Sequence, residues 1–335
     1  MPVSHAPAPT HPLVLVTGAT GFVGRAVVPA LLARGFAVRA AVRGAGVVVP
    51  GAEAWPAGDL TGPVDWAPAL EGVQAVVHLA ARAHVTREDP AGAAAAYRAV
   101  NVEATRRLAE AAARAGVRRF VYMSSVKALG ERSGAVPLRD GDTPAPEGPY
   151  GDSKLEAERV LARIAGDSGM AAVALRPPLV YGPGVRANFL GLMRLVDRGV
   201  PLPLAGICNR RSLIGVANLA DAAATAAAVP GPGGAFLVAD GPALSTEELV
   251  RAVAAALGRP ARLFPVPAAL ARLAGALPGI GGAAARLTGS LAVDDGGFRA
   301  AYGWSPPVPF AEQLAATAAW YRQAVSGRSR AGSGS

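Results

Sequence analysis

Short apolar runs alternate with longer amphipathic stretches along most of the chain. Leu13-Val14-Leu15-Val16 is uninterrupted and ends at Thr17-Gly18. A short run that is apolar at every position predicts a strand buried on both faces, as in a parallel sheet. Across 22–33 the apolar positions Val23, Val27, Ala30 and Leu31 share one stripe, which predicts a helix with a kink point at Pro29. Gly35 closes that helix, and 37–42 predicts the next strand. Further apolar runs at 75–79, 120–123, 172–175 and 235–238 predict strands, and helical spacing recurs at 93–114, 152–164 and 219–228. Strands without a polar face, alternating with helices, specify an α/β protein built on a Rossmann-type doubly wound parallel sheet.

Two stretches depart from this rhythm. Residues 127–149 form a long Gly/Pro/Asp-rich loop, and loops of that length in compact domains usually carry function. After Pro177 the chain is proline-rich and predicts irregular structure until a helix near Leu219. The expected division is a dinucleotide-binding unit over 12–177 plus 217–240, and a smaller C-terminal substrate-binding lobe over 178–216 plus 241–322. The ends, 1–11 and 326–335, read as disordered tails. The apolar, glycine-rich stretch 273–285 reads as packed, irregular or helical chain.

Composition narrows the function classes. With 335 residues, 51% hydrophobic and 17% charged, the chain is too apolar for disorder and long enough for a sizeable core. The net charge of +9 comes from arginines scattered along the chain and from only two lysines, Lys127 and Lys154. Without a basic run or an aromatic platform, a nucleic-acid partner is not expected. The single cysteine, Cys208, excludes an internal disulfide framework and a four-cysteine zinc site. It is expected to pack as a small apolar side chain. A chain with one cysteine is expected in a reducing cytoplasm; no apolar secretory core precedes Leu13, and no run is suited to crossing a membrane. Of His5, His11, His78 and His84, none falls in a metal-ligand pattern; His78 ends a strand and reads as a core hydrogen-bonding residue.

The candidate chemistry begins at Thr17-Gly18-Ala19-Thr20-Gly21-Phe22-Val23-Gly24, between a strand and a helix. Gly18 and Gly21 let a phosphate approach the main chain, and the helix N-terminus offers N–H groups and partial positive charge to a pyrophosphate. Gly24 allows close helix–strand packing. An acidic residue that would hold a ribose 2′-hydroxyl is missing from the end of the second strand, where Arg43 stands instead. A guanidinium there pairs with a 2′-phosphate, favouring NADP(H) over NAD(H); the alternative is a solvated surface arginine.

Tyr150 and Lys154 lie four residues apart at the start of a predicted helix and share one face. A phenol ionises near pH ~10, and a neighbouring ammonium or a cationic nicotinamide lowers that value. Such a pair suits proton exchange with a sugar hydroxyl during hydride transfer at the same carbon. Ser125, ending the preceding strand, is placed to hydrogen-bond the same oxygen.

Together these residues resemble the extended short-chain dehydrogenase/reductases, in the nucleotide-sugar epimerase/dehydratase branch. The resemblance spans roughly 13–322 and rests on the glycine loop, Gly58-Asp59-Leu60, His78-Leu79-Ala80-Ala81, Asn101, Ser124-Ser125, Tyr150 with Lys154, Arg176-Pro177, Tyr181-Gly182-Pro183-Gly184 and Asn218-Leu219-Ala220-Asp221. It implies NAD(P) bound by Gly18, Gly21, Phe22, Val23, Gly24, Arg43, Asp59, Leu60, Leu79, Ala80, Ala81, Asn101, Lys154 and Pro177. It implies Ser125, Tyr150 and Lys154 as the catalytic set. For a UDP-sugar it implies Asn188 and Arg211 at the diphosphate, with Ser125, Lys127 and Tyr150 at the sugar. A homodimer is also implied, while the histidine positions give no reason to expect a metal.

Two departures matter. Sugar dehydratases carry an Asp-Glu pair after the catalytic hydroxyl residue, whereas Val126-Lys127 follows Ser125 here, which argues against dehydration. Epimerases place an asparagine shortly after the sixth strand, where this chain has Leu179. The resemblance leaves two readings: a UDP-hexose 4-epimerase, placed first on the general site plan, and an NADPH-dependent reductase of a UDP-4-keto-6-deoxy sugar, favoured by Arg43. A non-catalytic dinucleotide sensor is the third, disfavoured because Tyr150 and Lys154 are both present.

Overall fold

The computed structural model describes residues 11–83, 90–265 and 288–331. His5, His84 and the 273–285 stretch lie outside them. In chain order the first half contains β1 (Leu13–Thr17), α1 (Gly24–Ala33), β2 (Ala37–Val42), β3 (Glu53–Pro56), α2 (Ala67–Leu70) and β4 (Val73–His78). It continues with α3 (Pro90–Tyr97), α4 (Ala104–Arg114), β5 (Arg119–Met123), α5 (Pro149–Ser168) and β6 (Ala171–Arg176). The second half contains β7 (Leu179–Tyr181), α6 (Ala187–Asp197), β8 (Leu202–Ala205), β9 (Leu213–Gly215), α7 (Val216–Ala228) and β10 (Gly234–Leu237). After these come α8 (Thr246–Leu257), β11 (Leu263–Pro265), α9 (Gly296–Tyr302) and α10 (Phe310–Ala331).

Seven strands form one parallel sheet in the order β10-β6-β5-β4-β1-β2-β3. The period-two geometry of a strand sorts the apolar runs onto its two faces. Val14 and Val16 of β1, Ala75 and Val77 of β4, Val121 and Met123 of β5, and Val173 and Leu175 of β6 enter one core with α1 and α7. Leu15, Val76, Phe120, Tyr122, Ala172 and Ala174 enter the other, under α4 and α5. Each fully buried large side chain contributes roughly 1.5–3 kcal/mol, which explains why these strands read as unbroken apolar runs.

Strand order reverses beside β1: the chain runs outward through β2 and β3, then returns to β4 on the other flank. Ligands of such sheets bind at that crevice, beyond the carboxyl ends of the strands. The second half adds small paired strands, β11 with β8 and β7 with β9, and a third core in which α6, α8 and α10 pack through Phe189, Met193, Val253, Leu314 and Tyr321.

The structure differs from the sequence reading in several places. The helix expected at 93–114 is interrupted by a π turn, Arg98–Glu103, and π turns often mark functional sites. The stretch after Pro177 is not irregular throughout, because it contains α6. Its prolines flank that helix, leaving Phe189, Met193 and Val196 as an apolar face. The final helix runs through 326–331, in place of the disordered tail expected there; Leu314, Ala318 and Tyr321 anchor it to the third core, and helix propagates readily once nucleated. Cys208 is exposed rather than packed.

Candidate active site

The glycine loop leaves β1 at the reversal point and lies against the chain leaving β4. Gly18 has φ +70°, and a Cβ there would sit 2.7 Å from the Ala80 nitrogen and 2.9 Å from the Leu79 carbonyl carbon. A Cβ on Gly24 would meet the Gly18 carbonyl oxygen at 2.2 Å. Only hydrogen fits at either position, so the start of α1 is held close beneath the crevice. That helix start has no side-chain cap, which suits an anion taking the place of a capping group. Phe22 packs against Gly184 and the third core, whereas Val23 packs on the sheet. Leu79 and Ala80 are half-buried beside the loop and Ala81 is exposed. A cradle that a methyl group would fill, an uncapped helix start and adjoining strand ends together fit a dinucleotide.

Arg43 is exposed at the end of β2. Asp59 accepts from the Thr61 N–H at 2.9 Å. Its carboxyl is held below the usual range chiefly by hydrogen bonds from Thr61, with Arg43's charge adding a smaller pull. Arg43 and Asp59 therefore lie in each other's field at the far end of the crevice. Leu60 is half-buried, and its carbonyl accepts from Arg107 at 2.7 Å.

A chain of buried polar groups runs from the loop to α5. The Ala80 N–H donates to Thr17 Oγ1 at 3.2 Å, and Thr17 Oγ1 lies 2.6 Å from His78 Nδ1. His78 Nε2 lies 3.0 Å from Thr105 Oγ1, which donates to the Asn101 carbonyl at 2.7 Å. With the Thr105 proton committed, Nε2 must donate and Nδ1 must accept from Thr17. His78 is thus a neutral core histidine, its pKa lowered to about 3 by burial and then by the charge of Lys154. Asn101, set in the π turn, brackets the backbone of Arg82: Oδ1 accepts from the Arg82 N–H at 2.9 Å and Nδ2 donates to its carbonyl at 3.1 Å. Nδ2 also reaches Ser153 Oγ at 2.9 Å, and Ser153 donates to the Tyr150 carbonyl at 2.8 Å.

Pro149 opens α5, and Tyr150, Lys154 and Glu158 follow along one face. Lys154 Nζ donates to the Met123 carbonyl at 2.7 Å and to Tyr122 Oη at 3.2 Å, over the Tyr122 ring. Burial lowers the Lys154 pKa to about 7, with Glu158 acting in the opposite direction. Tyr150 is pushed up to about 12 by burial; a hydrogen bond with the Ser125 hydroxyl opposes this. The Tyr97 ring meets Tyr150 edge-on, with centroids 5.7 Å apart. The structure thus brings Ser125, Tyr150 and Lys154 together at the carboxyl ends of the strands. Pro177 lies alongside, its carbonyl accepting from the Val126 N–H at 3.0 Å.

The substrate residues are less gathered. Lys127 pairs with Glu131 at 2.8 Å, so its charge is neutralised within its own loop. Asn188 is exposed at the start of α6, beside Ala187, whose φ of +52° is the only positive value at a non-glycine among the described residues. Arg211 is half-buried, its guanidinium donating to the Gly289 carbonyl at 2.8 Å; burial lowers its pKa, and no carboxylate pairs with it among the described residues. Sequence reasoning missed Tyr97, Tyr122, Thr105 and Glu158. Only Glu158 left a signal, in its four-residue spacing from Lys154.

The parallel sheet, the glycine loop at its reversal point and the Tyr150–Lys154 pair beside Ser125 define a short-chain dehydrogenase/reductase of the extended kind. The chain belongs to the NAD dependent epimerase/dehydratase family, whose sequence profile matches residues 14–239, and it is an NAD(P)-dependent enzyme of that family. It is 42% identical over 315 residues to a UDP-glucose 4-epimerase of Vibrio cholerae, covering 93% of this chain and 96% of the relative. It is similar in structure to MoeE5 in complex with UDP-glucuronic acid and NAD, with TM-score 0.73, 30% identity, and 93% and 99% of the two chains covered. A UDP-glucose 4-epimerase of Thermus thermophilus in complex with NAD matches with TM-score 0.72, 26% identity, and 93% and 99% coverage. Among the described residues no helix is long and apolar enough to cross a membrane, and no cluster of His, Cys, Asp or Glu is placed to hold a metal ion.

Proposed function

We propose that this enzyme interconverts C4 epimers of a UDP-hexose. The observation that carries the reading is the convergence of Tyr150, Lys154 and Ser125 at the crevice beside the glycine loop, in a chain 42% identical to a UDP-glucose 4-epimerase. A bound nicotinamide supplies reversible acceptance and return of hydride. Tyr150 takes the proton of the C4 hydroxyl and later gives it back, and Ser125 hydrogen-bonds the same oxygen. Burial raises the phenol and lowers the amine, so near neutral pH Tyr150 holds its proton while Lys154 titrates. Beside the cationic ring of an oxidised coenzyme, the Tyr150 phenol would lose its proton more readily.

Residues 12–177 plus 217–240 hold the dinucleotide in this reading, through Gly18, Gly21, Phe22, Val23, Gly24, Asp59, Leu60, Leu79, Ala80, Ala81, Asn101 and Pro177. The second lobe holds the UDP-sugar. Arg211, lacking an acidic partner among the described residues, suits a diphosphate, with Asn188 as a further contact. Arg43 favours NADP(H) over NAD(H), and the working form is a homodimer.

The test is incubation with UDP-glucose, UDP-N-acetylglucosamine and their 4-keto-6-deoxy derivatives, with and without NADPH. Interconversion of 4-epimers without net coenzyme use supports the proposal. Stoichiometric NADPH loss with the keto sugars alone replaces it with the reductase that Arg43 favours.

A further inference from the structure

One turn beyond Lys154, Glu158 points into the same buried region. Both its oxygens are engaged. Arg176, ending β6, donates from Nε to Oε1 at 3.0 Å and from a terminal nitrogen to Oε2 at 2.6 Å. Ser124 Oγ also donates to Oε1. The ion pair is almost fully enclosed, its two side chains 6% and 7% exposed. Such pairs contribute little net stability, because desolvation offsets their attraction. Its location suggests another role. Ser124 stands between Met123, whose carbonyl receives the Lys154 amine at 2.7 Å, and Ser125, which bonds the Tyr150 phenol. Among the described residues Lys154 hydrogen-bonds only neutral groups, the Met123 carbonyl and the Tyr122 hydroxyl.

We propose that Glu158, clamped by Arg176 and Ser124, is a positioning residue that keeps Lys154 charged beside Tyr150 and ties the Ser124-Ser125 strand end to the same helix face. The proposal rests on reading Tyr150 and Lys154 as the proton-handling pair.

The groups around Lys154 are few. His78 of β4 is neutral, and Tyr122 of β5 is protonated, its ionisation opposed by burial. Tyr150 and Glu158 come from α5, Tyr97 of α3 lies behind Tyr150, and Arg176 of β6 is committed to Glu158. The carboxylate is the only one of these whose field favours the ammonium. That field favours the ammonium form of Lys154, and a charged Lys154 in turn favours loss of the Tyr150 proton. Removing it depopulates the reactive arrangement and lowers both ionisations of the pair.

Because the chain has two lysines, Lys127 and Lys154, lysine labelled with nitrogen-15 at Nζ gives two side-chain signals that can be titrated separately. In Glu158→Gln the Lys154 midpoint is expected to fall by about one pH unit or more while Lys127 stays in place. Both limbs of the pH–turnover profile move to lower pH and the plateau falls about tenfold or more. A merely structural role lowers the folded fraction without moving either limb. Should Glu158→Gln fail to fold with Arg176 left unpaired, Arg176→Gln keeps a hydrogen-bond donor on Glu158 and removes the opposing charge, and the Lys154 midpoint is expected to rise. An unchanged Lys154 midpoint in a folded variant overturns the proposal. The titration is made without substrate. If Tyr150→Phe kept its turnover while the Lys154 midpoint still moved in Glu158→Gln, the functional reading would fail and only the coupling of Glu158 to the Lys154 charge would stand.

Discussion

The Lys154 side-chain nitrogen lies 6.0 Å from the centre of the Tyr150 ring, on the same face of α5. It is held there by the end of β5, so the distance reflects sheet–helix packing rather than a flexible side chain finding its own place. Tyr150→Phe keeps that packing and removes the hydroxyl proposed to carry the proton. Turnover is expected to fall by about 10²–10⁴-fold, with coenzyme affinity nearly unchanged. Epimer assays alongside coenzyme titration check both halves, and full turnover in the variant refutes the assignment.

Burying Lys154 opposes folding over a defined pH window. Its pKa is lowered to about 7 in the fold, against ~10.4 in an unfolded chain. Between these values the unfolded state binds the extra proton, so this group's contribution to stability rises with pH through the window. The penalty is fully present below the folded value. Lys154→Met is therefore expected to raise the urea midpoint of the coenzyme-free protein at pH ~7, by an amount that shrinks toward pH ~9. A constant difference across that range contradicts the titration.

Gly24 tests the cradle. Its added methyl would lie 2.2 Å from the Gly18 carbonyl oxygen and 2.7 Å from Ala19 backbone atoms, so helix or loop must move. Gly24→Ala is expected to cost about 1–3 kcal/mol in chemical denaturation and to weaken dinucleotide binding more than tenfold. Wild-type binding by calorimetry would show that the loop is not where the coenzyme sits.

Arg43 is the residue to which the proposed NADP(H) preference is assigned. A charge-assisted hydrogen bond to a 2′-phosphate is worth about 1.5–3 kcal/mol when sheltered, and Arg43 is exposed, so the lower end applies. Arg43→Ala is expected to weaken NADP(H) about tenfold and to leave NAD(H) in place. An unaltered ratio of the two affinities removes the preference.

At the other end of the site, Arg211→Gln is expected to raise the KM for nucleotide sugar about tenfold or more without affecting coenzyme affinity. UDP binding followed by calorimetry gives the same answer without turnover. Equal affinity for UDP in the variant and the parent excludes Arg211 from the diphosphate site.

The sequence by itself determined the parallel sheet, the glycine loop and the Tyr150–Lys154 pair. These are encoded locally: period-two burial makes Leu13–Thr17 an unbroken apolar run, and helical spacing puts residues four apart on one face. What it left undecided depends on contacts between distant segments. The π turn at Arg98–Glu103 has no periodic signature, and its purpose is visible only once Asn101 brackets Arg82 and reaches Ser153, 52 residues away. The tertiary structure alone decided that Glu158, Ser124 and Arg176 meet beside Lys154, because only parallel pairing of β5 with β6 under α5 brings three chain-distant polar groups into one dry space. There, removal from water makes each of them depend on the others.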